Sequence, residues 1–113
     1  NLEVADGYDY TALMYAAFFG HAAVVSELLK AGAGTEHKDD NGYTALMRAA
    51  LNGHAAIVSE LLKAGAGTEH KDDDGDTARD LAIRKKNKQW REVVRLLDEH
   101  AVRKDGGGGR WRI

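Results

Sequence analysis

The sequence predicts an all-α stack of helix–turn–helix units, and three observations carry that expectation. Residues 11–43 and 44–76 are one 33-residue segment written twice, identical at 27 of 33 positions. A third, looser copy begins at Thr77, so Thr11, Thr44 and Thr77 mark a fixed period of the kind that stacked architectures use. Between copies, "GAGTEHKDDNG" offers Gly, Asp and Asn but no periodic apolar face, which reads as a turn or hairpin-like finger.

Each element follows from local signals. Residues 1–10 supply only a loop, the tail end of a preceding unit. Ala12 to Phe18 is a short apolar helix with Thr11 as its N-cap and Gly20 closing it. A second helix runs from about Ala22 to Ala31, where Val24, Val25, Leu28 and Leu29 form one apolar stripe. Residues 44–76 repeat this pattern. The third unit, 77–104, keeps Thr77, Ala78, Leu81 and Ala82 and lengthens the segment between its helices. Its second helix, about Lys88 to Val102, carries Arg91, Arg95 and Asp98 where earlier units are apolar, as a cap facing water requires. Trp90 is expected to lid the core at that end. Residues 105–113 are a glycine linker followed by Arg110, Trp111, Arg112 and Ile113, read either as a tag or as a tethered ligand.

Composition narrows the class. Hydrophobic content of 43% with 30% charged residues is that of a globular chain. No cysteine is present, which rules out disulfides and thiolate metal sites. With no signal-like segment and no apolar run long enough to span a bilayer, the expectation is an intracellular setting, cytoplasmic or nuclear, and no membrane partner. The net charge of −2 hides a split: residues 1–76 hold 5 Lys and Arg against 13 Asp and Glu, whereas residues 77–113 hold 11 against 5. An acidic body with a basic end suits a cationic ligand, a nucleic acid or a second copy of the chain.

At this point the residues resemble a known family. "TALMYAA", "GHAAVVSELLKAGA" and "DDNGYT" are similar to the ankyrin repeat, worded Thr-Pro-Leu-His-x-Ala-Ala, Gly-His, Val-Val-x-x-Leu-Leu, Gly-Ala and Asp-x-x-Gly-x-Thr. The resemblance runs to about Val102 and implies an ankyrin-repeat solenoid of helix–turn–helix units joined by β-hairpin-like fingers. Two departures stand out: Ala12, Ala45 and Ala78 replace the proline, and Met14, Met47 and Asp80 replace the histidine. Loss of that histidine is expected to loosen the turns a little. Because no helix pair precedes Ala12, a truncated or engineered piece of a longer array is expected, with apolar surface open at its first repeat.

The six unequal pairs are Tyr15/Arg48, Phe18/Leu51, Phe19/Asn52, Val24/Ile57, Asn41/Asp74 and Tyr43/Asp76. Val24/Ile57 reads as a conservative core exchange. The other five change size or charge and are read as surface positions. In the ankyrin resemblance positions 18, 19, 41 and 43 fall on finger tips and the end of the first helix, where family members contact ligands. The expected partner surface is therefore Tyr8, Tyr10, Tyr15, Phe18, Phe19, Asn41, Tyr43, Arg48, Leu51, Asn52, Asp74 and Asp76. Tyr15 is also expected to pack against the next repeat. Aromatic anchors dominate interface energetics, and Asp73, Asp74 and Asp76 add an acidic rim suited to Arg or Lys on a ligand.

No catalytic constellation is visible. His21 and His54 belong to the Gly-His element, and His37 and His70 lie in the fingers without a nucleophile beside them. "DDDGD" at 72–76 lacks the ligand spacing of a calcium loop. The expected function is a non-enzymatic module without cofactor or metal, binding a peptide or protein segment on its concave and finger surface. Two alternatives stand beside it. One is a self-assembling scaffold that docks its own tethered tail, Arg110 to Ile113, into another copy. The other, less favoured, is nucleic-acid binding through Arg84, Lys85, Lys86, Lys88 and Arg91.

Overall fold

The computed structural model describes residues 10–104, with side chains to residue 101. Six helices follow in order: α1 (Ala12–Phe19), α2 (Ala22–Lys30), α3 (Ala45–Leu51), α4 (Ala55–Lys63), α5 (Ala78–Lys85) and α6 (Trp90–Lys104). The first, third and fifth pack side by side in one row, and the second, fourth and sixth in another. Each first-row helix starts the same way. Thr11, Thr44 and Thr77 accept hydrogen bonds on their hydroxyls from the backbone N–H three residues on, at 3.2, 3.3 and 3.3 Å. In the third repeat Asp80, at the histidine position of the motif, accepts from Thr77 N–H at 3.0 Å and completes a capping box. Met14 and Met47, the other two replacements, are buried core residues.

Alanines at 16–17 and 49–50 are buried, and their small size lets the first-row helices approach closely. Ile57, Val58, Leu61 and Leu62 of α4 are buried, but of their counterparts in α2 only Val25 is. Val24 is 48% exposed whereas Ile57 is 1% exposed. The pair is therefore a core exchange in only one of its two copies. This face of an outer helix packs on the preceding repeat, and among the described residues α2 has none to pack on. Leu28 and Leu29 are half-buried for the same reason.

Turns close the first-row helices in the left-handed region: Gly20 at φ 82°, Gly53 at 72° and, in the same register, Lys86 at 51°. The third repeat keeps the geometry after losing the glycine. At Gly53 it is indispensable, because a Cβ there would lie 2.0 Å from Asn87 O. Successive repeats are pinned at this corner. The Phe18 carbonyl accepts from Asn52 Nδ2 at 3.2 Å and His54 Nε2 at 3.1 Å. A carbonyl only accepts, so His54 carries its proton on Nε2. One repeat later, Leu51 O accepts from Asn87 Nδ2 at 2.9 Å, with Asn87 standing where the histidine would be.

Trp90 begins α6 half-buried, with Lys86 and Arg91 over its ring at 5.5 and 4.9 Å. Among the described residues no helix is long and apolar enough to cross a membrane.

Candidate functional site: the first repeat and its finger

Each finger is a tight turn built on an aspartate. Asp39 N–H donates to Tyr43 O at 3.0 Å, and Asp39 Oδ1 accepts from Asn41 N–H and Tyr43 N–H at 2.9 and 3.1 Å. Asp72 does the same, accepting from Asp74 N–H and Asp76 N–H at 2.9 Å each. These side-chain bonds replace a strand ladder, and among the described residues no strand forms. Neighbouring fingers are tied by Asp73 N–H to Asn41 O at 3.0 Å. Lower down, Glu36 accepts from Gly67 N–H at 3.1 Å and from His70 Nε2 at 2.6 Å. Burial pushes the Glu36 carboxyl up, but the bonds from Thr35, His70 and Gly67 outweigh it and hold the group below its ordinary value.

Behind the first finger, Arg48 reaches back from α3 to the second oxygen of Asp39. Its Nε donates to Asp39 Oδ2 at 3.0 Å, and Nη2 makes a second, closer contact with the same oxygen. The Arg48 and Asp39 side chains are 13% and 1% exposed. Three rings enclose the guanidinium: Tyr43 at 4.1 Å, Tyr10 at 4.9 Å and Phe18 at 5.9 Å. Arg48 is thus interior cement between repeats, contrary to the expectation that all five non-conservative differences lie on the surface. Asn52 is likewise spent on the Phe18 and Arg48 carbonyls, and Leu51 packs half-buried against the core.

An open pocket of about 430 Å³ lies between α1 and this finger. Tyr10, Tyr15, Phe18, Phe19, Asp39, Asp40 and Asn41 line it. Tyr15 and Phe19 are 43% and 59% exposed. Tyr15 meets Tyr10 at a tilt of 53° with ring centroids 4.6 Å apart, and Phe19 meets Phe18 edge-on at 4.9 Å. Tyr15 therefore faces the pocket, and Phe18 lines it while its ring also meets Arg48 of the next repeat.

The structure brings together Tyr10, Tyr15, Phe18, Phe19 and Asn41 of the expected surface, with Tyr43 holding the wall behind them. Asp74 and Asp76 belong to the next finger, where Asp76 pairs with Arg84 at 2.6 Å. Tyr8 lies outside the described residues, as does the Arg110–Ile113 tail. Asp39 and Asp40 are not legible as pocket residues from sequence, because they are identical in both repeats and a comparison of the two copies marks only positions that differ. The signal was available in the pairing of an invariant Asp39 with a new Arg48 nine residues on.

A family model for ankyrin repeats (three copies) matches residues 13–106. The chain belongs to the ankyrin repeat family. No curated protein matches it. Ankyrin repeats are generally protein–protein interaction modules and generally non-enzymatic, and they typically bind proteins. In this ankyrin array the basic cap is partly engaged internally: Arg84 holds Asp76, while Lys86 and Arg91 lie over Trp90. Among the described residues of the array, no three His, Asp or Glu side chains converge as a metal site.

Proposed function

We propose that the chain binds a peptide or protein segment in the pocket between α1 and the first finger. The observation that carries this reading is the exposure of Tyr15 and Phe19 beside a rigid acidic turn. Two large aromatic rings left open to water cost solvation that a partner's side chains recover. The wall behind them is stiff, because Arg48 ties finger to helix and three rings pack around it. A preformed pocket loses little freedom on binding.

Ligand chemistry follows from the lining. Apolar or aromatic side chains fit against Phe19 and Tyr15, and a cationic or hydrogen-bonding group fits beside Asp40 and Asn41. Peptides selected from a displayed random library against the intact chain test this. Phe19→Ala is expected to cost them about 2 kcal/mol, roughly 30-fold in affinity, with the helical circular dichroism unchanged. Binders indifferent to both Phe19→Ala and Tyr15→Ala would place recognition elsewhere on the molecule.

A further inference from the structure

Asp39 and Asp72 are register twins with the same turn to hold, and each uses Oδ1 for it. Their second oxygens meet different fates. Asp39 Oδ2 takes the Arg48 guanidinium. One repeat later the residue in Arg48's register is Leu81, which is fully buried. Asp72 is only 6% exposed, and its Oδ2 makes no well-formed hydrogen bond in the protein. The Tyr43 phenol sits beside it as a weak neutral donor; burial first, then the Asp72 charge and the phenol's hydrogen bond to Asp72, push that phenol's pKa up, and among the described residues no cation pairs with the carboxylate. The cation at this finger, Arg84 from α5, is committed to Asp76 instead, with its side chain 51% exposed. Exposed Asp73 and Asp74 complete the finger tip.

We propose that the second finger is a subsite for an arginine side chain of the bound segment, centred on the Asp72 carboxylate. The ligand guanidinium does for Asp72 what Arg48 does for Asp39. It enters over the solvent-facing Asp76–Arg84 pair, displaces Arg84 from Asp76, and presents paired N–H donors to Asp76 and Asp72. Arg84 is then a placeholder that keeps the acidic finger neutralised until a ligand arrives. A planar, two-pronged cation suits two carboxylates at one turn better than the point charge of lysine. The source of the arginine rests on the peptide-binding reading above; the carboxylate chemistry does not.

The test is a titration of the isotope-labelled intact chain with Nα-acetyl-argininamide, followed by NMR. The reporters are the Asp74 and Asp76 amides, which donate to Asp72 Oδ1. Saturable shifts are expected there, weaker ones with Nα-acetyl-lysinamide and none with the uncharged Nα-acetyl-citrullinamide. The Met14 amide, bonded to Thr11 in the first repeat, is expected to stay still. Asp72→Asn keeps the Oδ1 acceptor and should abolish the response, while Arg84→Ala should tighten binding several-fold by removing the competing cation. No saturable shift, an undiminished response in Asp72→Asn, or binding weakened by Arg84→Ala would each overturn the proposal. Phe19→Ala separates the two readings, since it should weaken selected peptides and leave this titration untouched.

Discussion

Arg48 shows how one substitution within a copied segment changes both stability and surface. The first repeat has Tyr15 in this register, the second Arg48 and the third Leu81. Tyr15 lines the open pocket, Arg48 neutralises a buried carboxylate, and Leu81 fills the core. Removing one partner of a buried ion pair leaves an uncompensated charge, which costs about 3–5 kcal/mol. Arg48→Met is therefore expected to destabilise the chain by that order in urea denaturation. Adding Asp39→Asn should recover much of it, since the amide keeps the Oδ1 bonds of the turn and carries no charge. A loss below about 1 kcal/mol for Arg48→Met would mean that the pair behaves as a solvated surface contact.

At the level of the helix, α2 and α4 are an internal experiment. They differ only at Val24/Ile57, yet one is half-open and the other buried. Their burial is set by neighbours, since α4 lies between α2 and α6. Ile57→Ala is expected to cost about 2–5 kcal/mol. Val24→Ala should stay within about 0.5 kcal/mol. Thermal or urea unfolding of the two variants decides it, and equal costs would mean that the exposed face of α2 is covered in solution. The same comparison explains why the stripe Val24, Val25, Leu28 and Leu29 was readable as apolar but not as partly exposed. Periodicity reports which residues share a face, and it is silent on whether anything lies against that face.

Across the whole molecule, stability in a stacked array is close to a sum of repeat and interface terms. The second repeat has both interfaces; the first, among the described residues, has one. Amide hydrogen exchange should therefore be slowest in α3 and α4 and faster in α2, despite the near-identity of α2 and α4. Equal protection of the two helices would contradict this account. The arrangement also suits recognition. Among the described residues the most exposed rings, Tyr15 and Phe19, sit on the first repeat, while the second supplies the arginine that stiffens the wall. Binding surface and scaffold are thus divided along the stack.

The period of 33, the threonine caps, the glycine turns and the polar last helix were all readable from the residues, because each depends on chemistry within one turn or one repeat. The family follows from the same local wording. Which of the differing positions face water was not readable, since that depends on contacts between repeats. Arg48 and Asn52 read as surface and are cement, Val24 reads as core and is open, and Phe18 both lines the pocket and meets Arg48 of the next repeat. Asp39 and Asp72 follow identical sequence and differ after it at Asn41/Asp74 and Tyr43/Asp76, which leave the turn itself unchanged. The side chain in the next register, Arg48 in one case and Leu81 in the other, gives Asp39 a cation that Asp72 lacks.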